Sequence, residues 1–350
     1  MNFSEYGLMY FRDQDLVWDD VIEHKQARVT PVQLRALADA LEDRGTTTPL
    51  LQGAPGVVDD DRADLERTLN EGWDGWNRMA RLYSFASRMR HSDPVVTHDQ
   101  SRERVIVKEI AFPVPGRFDS TTNSTPVALP DPEHLPERDF QEVLWSRRTS
   151  RKFSERAITL EHLGLLLFNA ASTRRRARTQ EDVQYGNHYR NSPSGGARAS
   201  TDLYLQVRNV DGLARGNYRY LADTHSLDWI GEASSDEDML HALSGQQWFL
   251  ECAVLIVLAA DLQSTAWKYT DKRSYRSVIL DAGHLNQNIY LVGTSLGLAV
   301  GTTAVQRDED FEKEFNISPA LKVPLMLTGI GHHRDPDALT ARVPTPLEQG

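Results

Sequence analysis

The segment RRTSR, residues 147–151, places three arginines around one threonine in a chain whose formal net charge is −11. A guanidinium fork matches the geometry of a phosphate better than any other side chain, and Thr149 adds a hydroxyl and a backbone N–H. Arg147, Arg148 and Arg151 are therefore candidate ligands of a phosphate group. The alternative is a set of surface arginines that pair, at little gain in stability, with the neighbouring carboxylates Asp139, Glu142 and Glu155.

A second candidate is the loop SPSGGAR, residues 192–198, in which Gly195 and Gly196 follow Pro193 and Ser194. Paired glycines let a backbone come close to a ligand and present N–H groups to it, although the same residues also make an ordinary turn. No GxGxxG segment follows a predicted strand, and no Walker loop occurs. A cofactor bound at this loop would be held without either of these common nucleotide-binding motifs.

Lys268 and Tyr269 stand side by side in the segment WKYTDKRSYR, among further cations. Both side chains are normally protonated at neutral pH, because their ordinary pKa values are about 10. Nearby positive charges, here Lys272, Arg273 and Arg276, lower the pKa of such a group and can turn it into a base near pH 7. The alternative is a loop of solvated charges without a chemical role.

The remaining polar candidates are histidines and their neighbours. His284 and Gln287 are one turn apart on a long predicted helix, where they either face a ligand or form a core or interface pair. His332 and His333 lack the carboxylate spacing of a metal site, and the single cysteine, Cys252, excludes a cysteine-rich site. We therefore expect no metal.

Helices and strands are mixed after about residue 138, which predicts an α+β domain that carries all of these candidates. A helix ends near Arg147, Thr159 caps the next one, and the longest helical pattern begins at residue 274 and ends at Gly297. The predicted strands are DLYLQVRN, GNYRYL, AVLIVLAAD, LAVGTTAV and VPLMLTGIG.

Residues 1–137 are predicted to form a mainly helical accessory region. One helix starts at Pro31 behind the capping residue Thr30, and a second helical stretch runs from about residue 61 to residue 91, with Gly72 and Gly75 as interruptions. Prolines punctuate residues 92–137, which predicts a linker that wraps its neighbour and contains one strand, RERVIVKEI.

Composition narrows the class of protein. With 350 residues, of which 40% are hydrophobic and 25% charged, the chain is globular. The balance of 39 Lys and Arg against 50 Asp and Glu argues against nucleic acid as a partner. Neither a signal-peptide pattern nor an apolar run of membrane-spanning length occurs, so we expect a cytoplasmic protein that does not enter a membrane.

Taken in order, the segments RRTSR, HYRNSPSGGAR, KYTDKRSYR, DAGHLNQNIYLVGTSLGLAVGT and LMLTGIGHHRD resemble the FMN-dependent nitroreductase superfamily. More specifically, the chain resembles the SagB-type dehydrogenase branch, which includes the azoline oxidases of thiazole/oxazole-modified peptide biosynthesis. The resemblance covers about residues 138–345. It implies a nitroreductase-like fold, in which helices flank a central mixed or antiparallel sheet and a long central helix lies at the interface of a homodimer that binds FMN.

The resemblance assigns Arg147, Arg148 and Arg151 to the FMN phosphate and places Thr149 close to the ribityl chain. Gln287 matches the first residue of a Gln-Asn pair on the central helix of the family. The loop under the flavin ring would consist of Pro193, Ser194, Gly195 and Gly196.

Further roles follow from the same resemblance. Ala304 and Val305 stand where family members often have Gly-Gly-Phe, and their backbone N–H groups would reach flavin N5. Arg342 lies where some members add a phosphate contact. Lys268 and Tyr269 match the Lys-Tyr pair that marks azoline oxidases and that plain nitroreductases lack.

The implied activity is the oxidation of a thiazoline or oxazoline to the aromatic azole. The Cβ hydrogen would leave as hydride to flavin N5, Lys268 or Tyr269 would remove the Cα proton, and O2 would reoxidise the flavin. The substrate would be a peptide or a carrier-bound chain, and a cyclodehydratase is a candidate partner. Three alternatives stay open: an NAD(P)H-dependent flavin reductase of nitro, quinone or enone compounds, an FMN oxidase of another Cα–Cβ bond such as that of a cyclic dipeptide, and a non-catalytic docking subunit.

Overall fold

The computed structural model describes residues 2–42, 54–91, 100, 103–104, 107, 125–132, 134–173, 187–269 and 271–335. Backbone contacts divide the chain into two compact units, Met1–Val95 and Val96–Gly350. The division into an accessory region 1–137 and a cofactor-binding domain 138–345 stays a prediction.

The described part of the first unit combines antiparallel strands with three helices. Its strands are β1 (Asn2–Phe3), β2 (Gly7–Arg12), β3 (Asp15–Asp20), β4 (Lys25–Arg28) and β5 (Val57–Val58). Strands β2, β3 and β4 form one sheet, and β1 pairs with β5. Its helices are α1 (Pro31–Glu42), α2 (Asp60–Gly72) and α3 (Arg78–Ala86). A small core is formed by Tyr6, just before β2, and Val21, just after β3, together with Leu82 and Phe85 of α3.

The helices of this unit agree with the sequence prediction, whereas its sheet was not foreseen. Helix α1 begins at Pro31, and the stretch predicted from residue 61 to 91 is broken between α2 and α3, where Gly75 has a φ of 84°. Strand β2 has no alternation of buried and exposed residues, because Leu8, Met9 and Phe11 are all exposed. The period-two signal that identifies a strand is therefore missing.

A seven-stranded antiparallel sheet forms the centre of the second unit as far as it is described. Its strands are β6 (Val127–Ala128), β8 (Thr201–Val207), β10 (Gly216–Leu221), β11 (Ser226–Gly231), β12 (Val254–Asp261), β13 (Leu298–Thr303) and β14 (Lys322–His332), and their order in the sheet is β13-β14-β12-β8-β10-β11-β6. A parallel pair joins β7 (Ile158–Thr159) to β9 (Val210–Asp211). Strands β8 and β12 are buried along their whole length, which explains the continuous apolar run of β12.

Helices cover both faces of this sheet. On one face, α5 (Leu160–Ala171) and α8 (Ser274–Ser295) contribute to the larger hydrophobic core. On the other face, α6 (Asp236–Ala242) and α9 (Asp308–Glu314) contribute to a second core. Helix α4 (Phe140–Ser146) precedes the segment RRTSR, and helix α7 (Leu262–Lys268) ends at the candidate Lys268. Within the described ranges, no helix combines the length and the apolar character needed to cross a bilayer.

Most elements predicted for this unit are observed, and the α+β fold is confirmed. Thr159 caps α5, because its Oγ1 accepts a hydrogen bond from His162 N at 3.1 Å. The strand predicted for RERVIVKEI is wrong where that segment is described, since Glu103, Arg104 and Val107 are helical. A short apolar run does not distinguish the two states by its period. Within the Pro-rich segment, residues 92–137, strand β6 pairs with β11 and forms an edge of the central sheet.

Candidate active site

The glycine loop, which we define as residues 192–200, leads into β8 beside helix α8. Its Ser194 Oγ and Gly195 N donate hydrogen bonds to the Asp281 carboxylate at 2.6 and 3.1 Å. Ser200 Oγ donates to the same carboxylate at 2.8 Å. Because Asp281 is buried on α8, one carboxylate fixes both ends of the loop to this helix.

Gly196 lies at the tightest point of this loop. Its φ of +60° is a left-handed conformation, which glycine adopts without steric cost. A Cβ atom at this position would lie 2.5 Å from Tyr269 Oη and 2.9 Å from Lys268 Cδ. The close contact with the Lys-Tyr pair therefore requires glycine. Pro193, near the start of the loop, is exposed.

Lys268 is the last residue of α7, which Asp261 caps by accepting a hydrogen bond from Ser264 N at 2.8 Å. The Lys268 Nζ donates to Gly196 O at 3.0 Å. Tyr269 follows with extended backbone and lies against the same glycine. The structure thus brings together two candidates that are far apart in the sequence, the glycine loop and the Lys-Tyr pair.

Burial moves the pKa values of the pair in opposite directions. The pKa of Lys268 is lowered, first because burial disfavours the ammonium form and second because the Arg198 guanidinium lies nearby. The pKa of Tyr269 is raised, chiefly by burial, with Arg198 opposing this effect and Asp271 and Asp281 adding to it. Lys268 is therefore closer than an ordinary lysine to a neutral, proton-accepting form, while Tyr269 stays a hydrogen-bond donor.

Arg198 joins the glycine loop to helix α7. Its side chain is fully buried, and its guanidinium lies over the Trp267 ring, with 5.1 Å from Cζ to the ring centroid. Arg198 Nε donates to Ser264 O at 2.9 Å, and Ser264 Oγ donates back to Arg198 O at 2.9 Å. The cation that lowers the pKa of Lys268 is this arginine, and not the three cations that follow Tyr269 in the sequence.

The sequence prediction did not single out Asp281 or Arg198. The signal for Asp281 is its place on a helix whose period puts it on the same face as Val278, Ala282 and Leu285, all of which are buried. An acidic residue on an apolar face needs buried partners, which the serine-rich loop supplies. Arg198 ends the segment SPSGGAR, and nothing in that segment distinguishes a buried arginine from an exposed one.

The arginine loop, which we define as residues 147–151, follows α4 and lies against α8 and β13. Ser150 N donates to Val300 O at 2.8 Å, and Thr149 Oγ1 is 3.1 Å from Tyr290 Oη. A Cβ atom at Gly301 would lie 2.1 Å from Ser150 O, so the close approach of loop and strand requires glycine there. These contacts fix the backbone of the loop.

The three guanidiniums of this loop have different contacts. Arg147 lies over the Tyr290 ring, and Arg151 lies over the Trp248 ring, with 5.4 and 5.7 Å from Cζ to the ring centroids. Arg148 folds back and donates to backbone carbonyls at the end of α4. No carboxylate in the described part of the chain forms an ion pair with any of the three, so the alternative in which they pair with neighbouring acids is wrong.

Gln287 lies on the exposed face of α8. The same face carries Ile279 and Leu280, which are 46% and 60% exposed, together with Gly283 and His284. His284 and Gln287 therefore do not form a core pair within the chain. They remain available for a ligand or for an interface.

Ala304 and Val305 form an exposed turn after β13, which ends at Thr303. The Val305 N–H donates to Thr303 Oγ1 at 3.1 Å, and Val305 O accepts from Gln246 at 2.7 Å. The N–H of Val305 is therefore engaged in the turn itself. Arg342 lies outside the described residues. Across the described ranges, no three His, Cys, Asp or Glu side chains cluster in a way that could hold a metal ion.

The nitroreductase family matches residues 144–332. This range includes the arginine loop, the glycine loop, the Lys-Tyr pair and α8, and it spans more than half of the chain. The chain therefore belongs to the nitroreductase family. Members of this family bind FMN.

Curated relatives cover different parts of the chain. A protein of Methanocaldococcus jannaschii named as a nitroreductase is 29% identical over 205 residues, 59% of this chain and 95% of its own. The trifolitoxin-processing protein TfxB of Rhizobium leguminosarum bv. trifolii is 26% identical over 63% of this chain and 61% of its own. The trifolitoxin operon protein TfxC of the same organism is 24% identical over 87% and 88%. Because Val96–Gly350 makes up less than 87% of the chain, the similarity to TfxC extends into the first unit.

Among solved structures, a nitroreductase of Anabaena variabilis superposes with a TM-score of 0.51 and is 21% identical to this chain. The match covers 70% of this chain and 50% of that one. At this level of identity, the similarity supports the fold alone.

Proposed function

We propose that this protein is an FMN-dependent dehydrogenase or oxidase that converts a thiazoline or oxazoline, carried by a peptide or a peptide-like precursor, to the aromatic azole. The observation that carries the proposal is the 3.0 Å contact between Lys268 Nζ and Gly196 O, which places a lysine of lowered pKa at the glycine loop. The two relatives named for trifolitoxin support a biosynthetic substrate.

The residues present fit FMN in two respects. The arginine loop offers Arg147, Arg148 and Arg151 without acidic partners among the described residues, which is the donor set that a phosphate requires. The glycine loop offers a half-buried backbone without bulky side chains. The residues that would hold FMN are those of the two loops, with Thr149, Pro193, Ser194, Gly195 and Gly196, together with Gln287, Ala304 and Arg342. Val305 would contribute its N–H only after that N–H had left Thr303 Oγ1.

The side chains of the Lys-Tyr pair would handle the proton of the reaction. When bound, FMN would supply the acceptor for the Cβ hydride, with O2 as the final oxidant. The ring C=N and the adjacent carbonyl acidify the substrate Cα–H, and neutral Lys268 accepts that proton at Nζ. Tyr269 stays protonated, so its Oη is a hydrogen-bond donor. Gly196 O accepts from Lys268 Nζ and holds this amine in place. Loss of one proton and one hydride yields the azole.

The proposal includes a homodimer with α8 at its interface. Ile279 and Leu280 on α8 and Phe140 on α4 are 46%, 60% and 67% exposed, and a second copy would cover these apolar side chains. Light scattering at micromolar concentration should give twice the chain mass of 39.5 kDa, and Leu280→Glu should give a monomer. A wild-type protein that stays monomeric would contradict this part of the proposal.

Anaerobic mixing tests the proposed reaction against reductase chemistry. The flavin absorption band of the FMN-loaded protein is followed after addition of a thiazoline-bearing peptide or, separately, of NADPH. We expect bleaching by the thiazoline peptide, loss of this bleaching in Lys268→Ala, and normal bleaching in the control Lys272→Ala. Bleaching by NADPH alone, unchanged in Lys268→Ala, would identify a flavin reductase. A colourless protein that FMN does not reconstitute would indicate a docking subunit.

A further inference from the structure

The backbone of the glycine loop is held in an unfavourable conformation. Gly196, Ala197 and Ala199 have φ values of 60°, 54° and 48°, so three residues of one short segment are left-handed. For alanine, this conformation places Cβ against the backbone and is populated only when the surroundings fix it. The loop therefore needs a specific anchor.

The Asp281 carboxylate is that anchor. It is buried, and it accepts the three hydrogen bonds from Ser194, Gly195 and Ser200 described above. Ser194 Oγ also accepts from Ala199 N at 2.9 Å, so the same network reaches the strained residues. No lysine or arginine in the described ranges forms an ion pair with Asp281, and the loop donors alone satisfy its charge.

The loop transmits this anchoring to the Lys-Tyr pair. Gly196 follows the anchored Gly195 directly, and its carbonyl accepts from Lys268 Nζ. Displacement of Gly196 would break this contact or bring the loop into Tyr269, which already excludes a Cβ atom there. The Arg198–Ser264 hydrogen bonds hold the far end of the loop on α7, and Arg198 N donates to Gly195 O at 3.3 Å, so this second attachment acts on the same backbone as Asp281.

We propose that Asp281 is a positioning residue, which holds the glycine loop in its left-handed conformation and thereby sets FMN affinity and the placement of Lys268. This inference rests on the proposed function and deepens it, because it names the residue that organises the site without touching substrate. Asp281→Ala removes the anchor, and Asp281→Asn keeps the shape but replaces one acceptor oxygen by a donor. Asn286→Ala is the matched control, since Asn286 is a buried polar residue of α8 whose side chain binds Thr302 and Thr328.

The first measurement needs neither FMN nor substrate. Brief trypsin treatment of the folded apoprotein, followed by mass spectrometry, reports cleavage after the buried Arg198. We expect Asp281→Ala to be cut there at least about tenfold faster than wild type, because buried hydrogen bonds to a charged group are lost. The Asn286→Ala control should be cut there at the wild-type rate. Equal rates in wild type and Asp281→Ala would overturn the proposal.

The second measurement is FMN binding, followed by the quenching of flavin fluorescence on addition of apoprotein. We expect Kd to be at least about tenfold weaker in Asp281→Ala, intermediate in Asp281→Asn and unchanged in Asn286→Ala. Ser194→Ala combined with Asp281→Ala should weaken binding less than the product of the single effects, because both remove the same hydrogen bond. Wild-type Kd in Asp281→Ala, or full additivity, would contradict the proposal. If Asp281→Ala does not fold, Asp281→Asn decides by the same criteria.

Turnover separates this inference from the proposed function. With a thiazoline peptide, Asp281→Ala saturated with FMN should have a much lower kcat but a KM close to that of wild type. The reason is that the placement of Lys268 is affected and the substrate surface is not. A wild-type protein that oxidises no azoline would refute the proposed function, while the proteolysis and FMN-binding results would still decide the role of Asp281.

Discussion

The backbone of the glycine loop is anchored on helix α8 and that of the arginine loop on strand β13, and the two loops differ in how they hold their side chains. In the glycine loop, strained backbone is fixed by a buried carboxylate and a buried arginine. In the arginine loop, the backbone is fixed by Ser150 while Arg148 and Arg151 stay exposed. The glycine loop is preorganised in one geometry, and the arginine loop presents positive charge to the phosphate of FMN. Changes in the glycine loop should therefore alter both the rate and FMN affinity, whereas changes in the arginine loop should alter FMN affinity and its salt dependence without a comparable loss of rate.

The largest effect is expected at Lys268, which the glycine loop holds in place. Removing a general base costs about 10²–10⁴-fold in rate, so Lys268→Ala should lower kcat for azole formation by that factor. Lys268→Arg should not restore activity, because a guanidinium does not become neutral in proteins. Azole absorbance under steady-state conditions measures the effect. A Lys268→Ala protein with wild-type kcat would show that Lys268 is not the general base of the reaction.

The next largest effect is expected at Gly196, where the glycine loop lies against Lys268 and Tyr269. Gly196→Ala introduces a Cβ atom 2.5 Å from Tyr269 Oη at a φ of +60°, which should destabilise the protein by about 1–3 kcal/mol and lower kcat. Gly231→Ala is the control, because a Cβ atom there meets nothing within 4 Å. Urea unfolding gives the free energy of each variant. Equal stability of the two variants would mean that the close contact at Gly196 does not exist in solution.

The pH dependence of turnover sharpens the role of Arg198. Activity requires neutral Lys268, so kcat/KM should rise with pH through the pKa of Lys268, which burial and Arg198 hold below that of an ordinary lysine. Arg198→Met removes the positive charge and should move this rise to higher pH. Arg198→Lys keeps the charge and should leave the rise where it is. A rise that moves equally in both variants would exclude an effect of the charge itself.

The smallest effect is expected in the arginine loop, where solvent screens the charges. Arg147→Gln combined with Arg151→Gln should weaken the binding of FMN about tenfold at low salt and less at high salt. Arg156→Gln, an exposed arginine outside the loop, should bind FMN like wild type. Fluorescence titration with FMN at two ionic strengths measures the affinity of each variant and its salt dependence. If the double variant keeps the salt dependence of wild type, these arginines do not hold the phosphate.

Local patterns were sufficient to predict most of the fold. Helix α5 has a capping threonine and a 3.6-residue period, and β12 is a continuous apolar run, so both are readable without knowledge of the neighbours. The sheet of the first unit was missed because β2 exposes apolar and polar residues alike. Whether such a segment forms a strand depends on its pairing partners, and pairing is a tertiary property.

Part of the candidate site could likewise be predicted from the sequence, and part of it could not. Lys268 and Gly196 could be named from residue types and a family resemblance, but their contact depends on how β8 and α7 are placed by the central sheet. Asp281 and Arg198 were missed because their importance comes from burial, which single residue types do not reveal. A carboxylate on the apolar face of a long helix is the one sequence signal that could have identified Asp281.

A single-turnover experiment decides whether the FMN-loaded protein oxidises an azoline and whether Lys268 is required for it. The FMN-loaded protein is mixed without oxygen with less than one equivalent of a thiazoline peptide, and the peptide is then examined by mass spectrometry. We expect the peptide to lose two hydrogens with the wild-type protein and with Lys272→Ala, and to stay unchanged with Lys268→Ala. A thiazoline peptide that stays unchanged with the folded, FMN-loaded wild-type protein would show that this protein does not oxidise azolines.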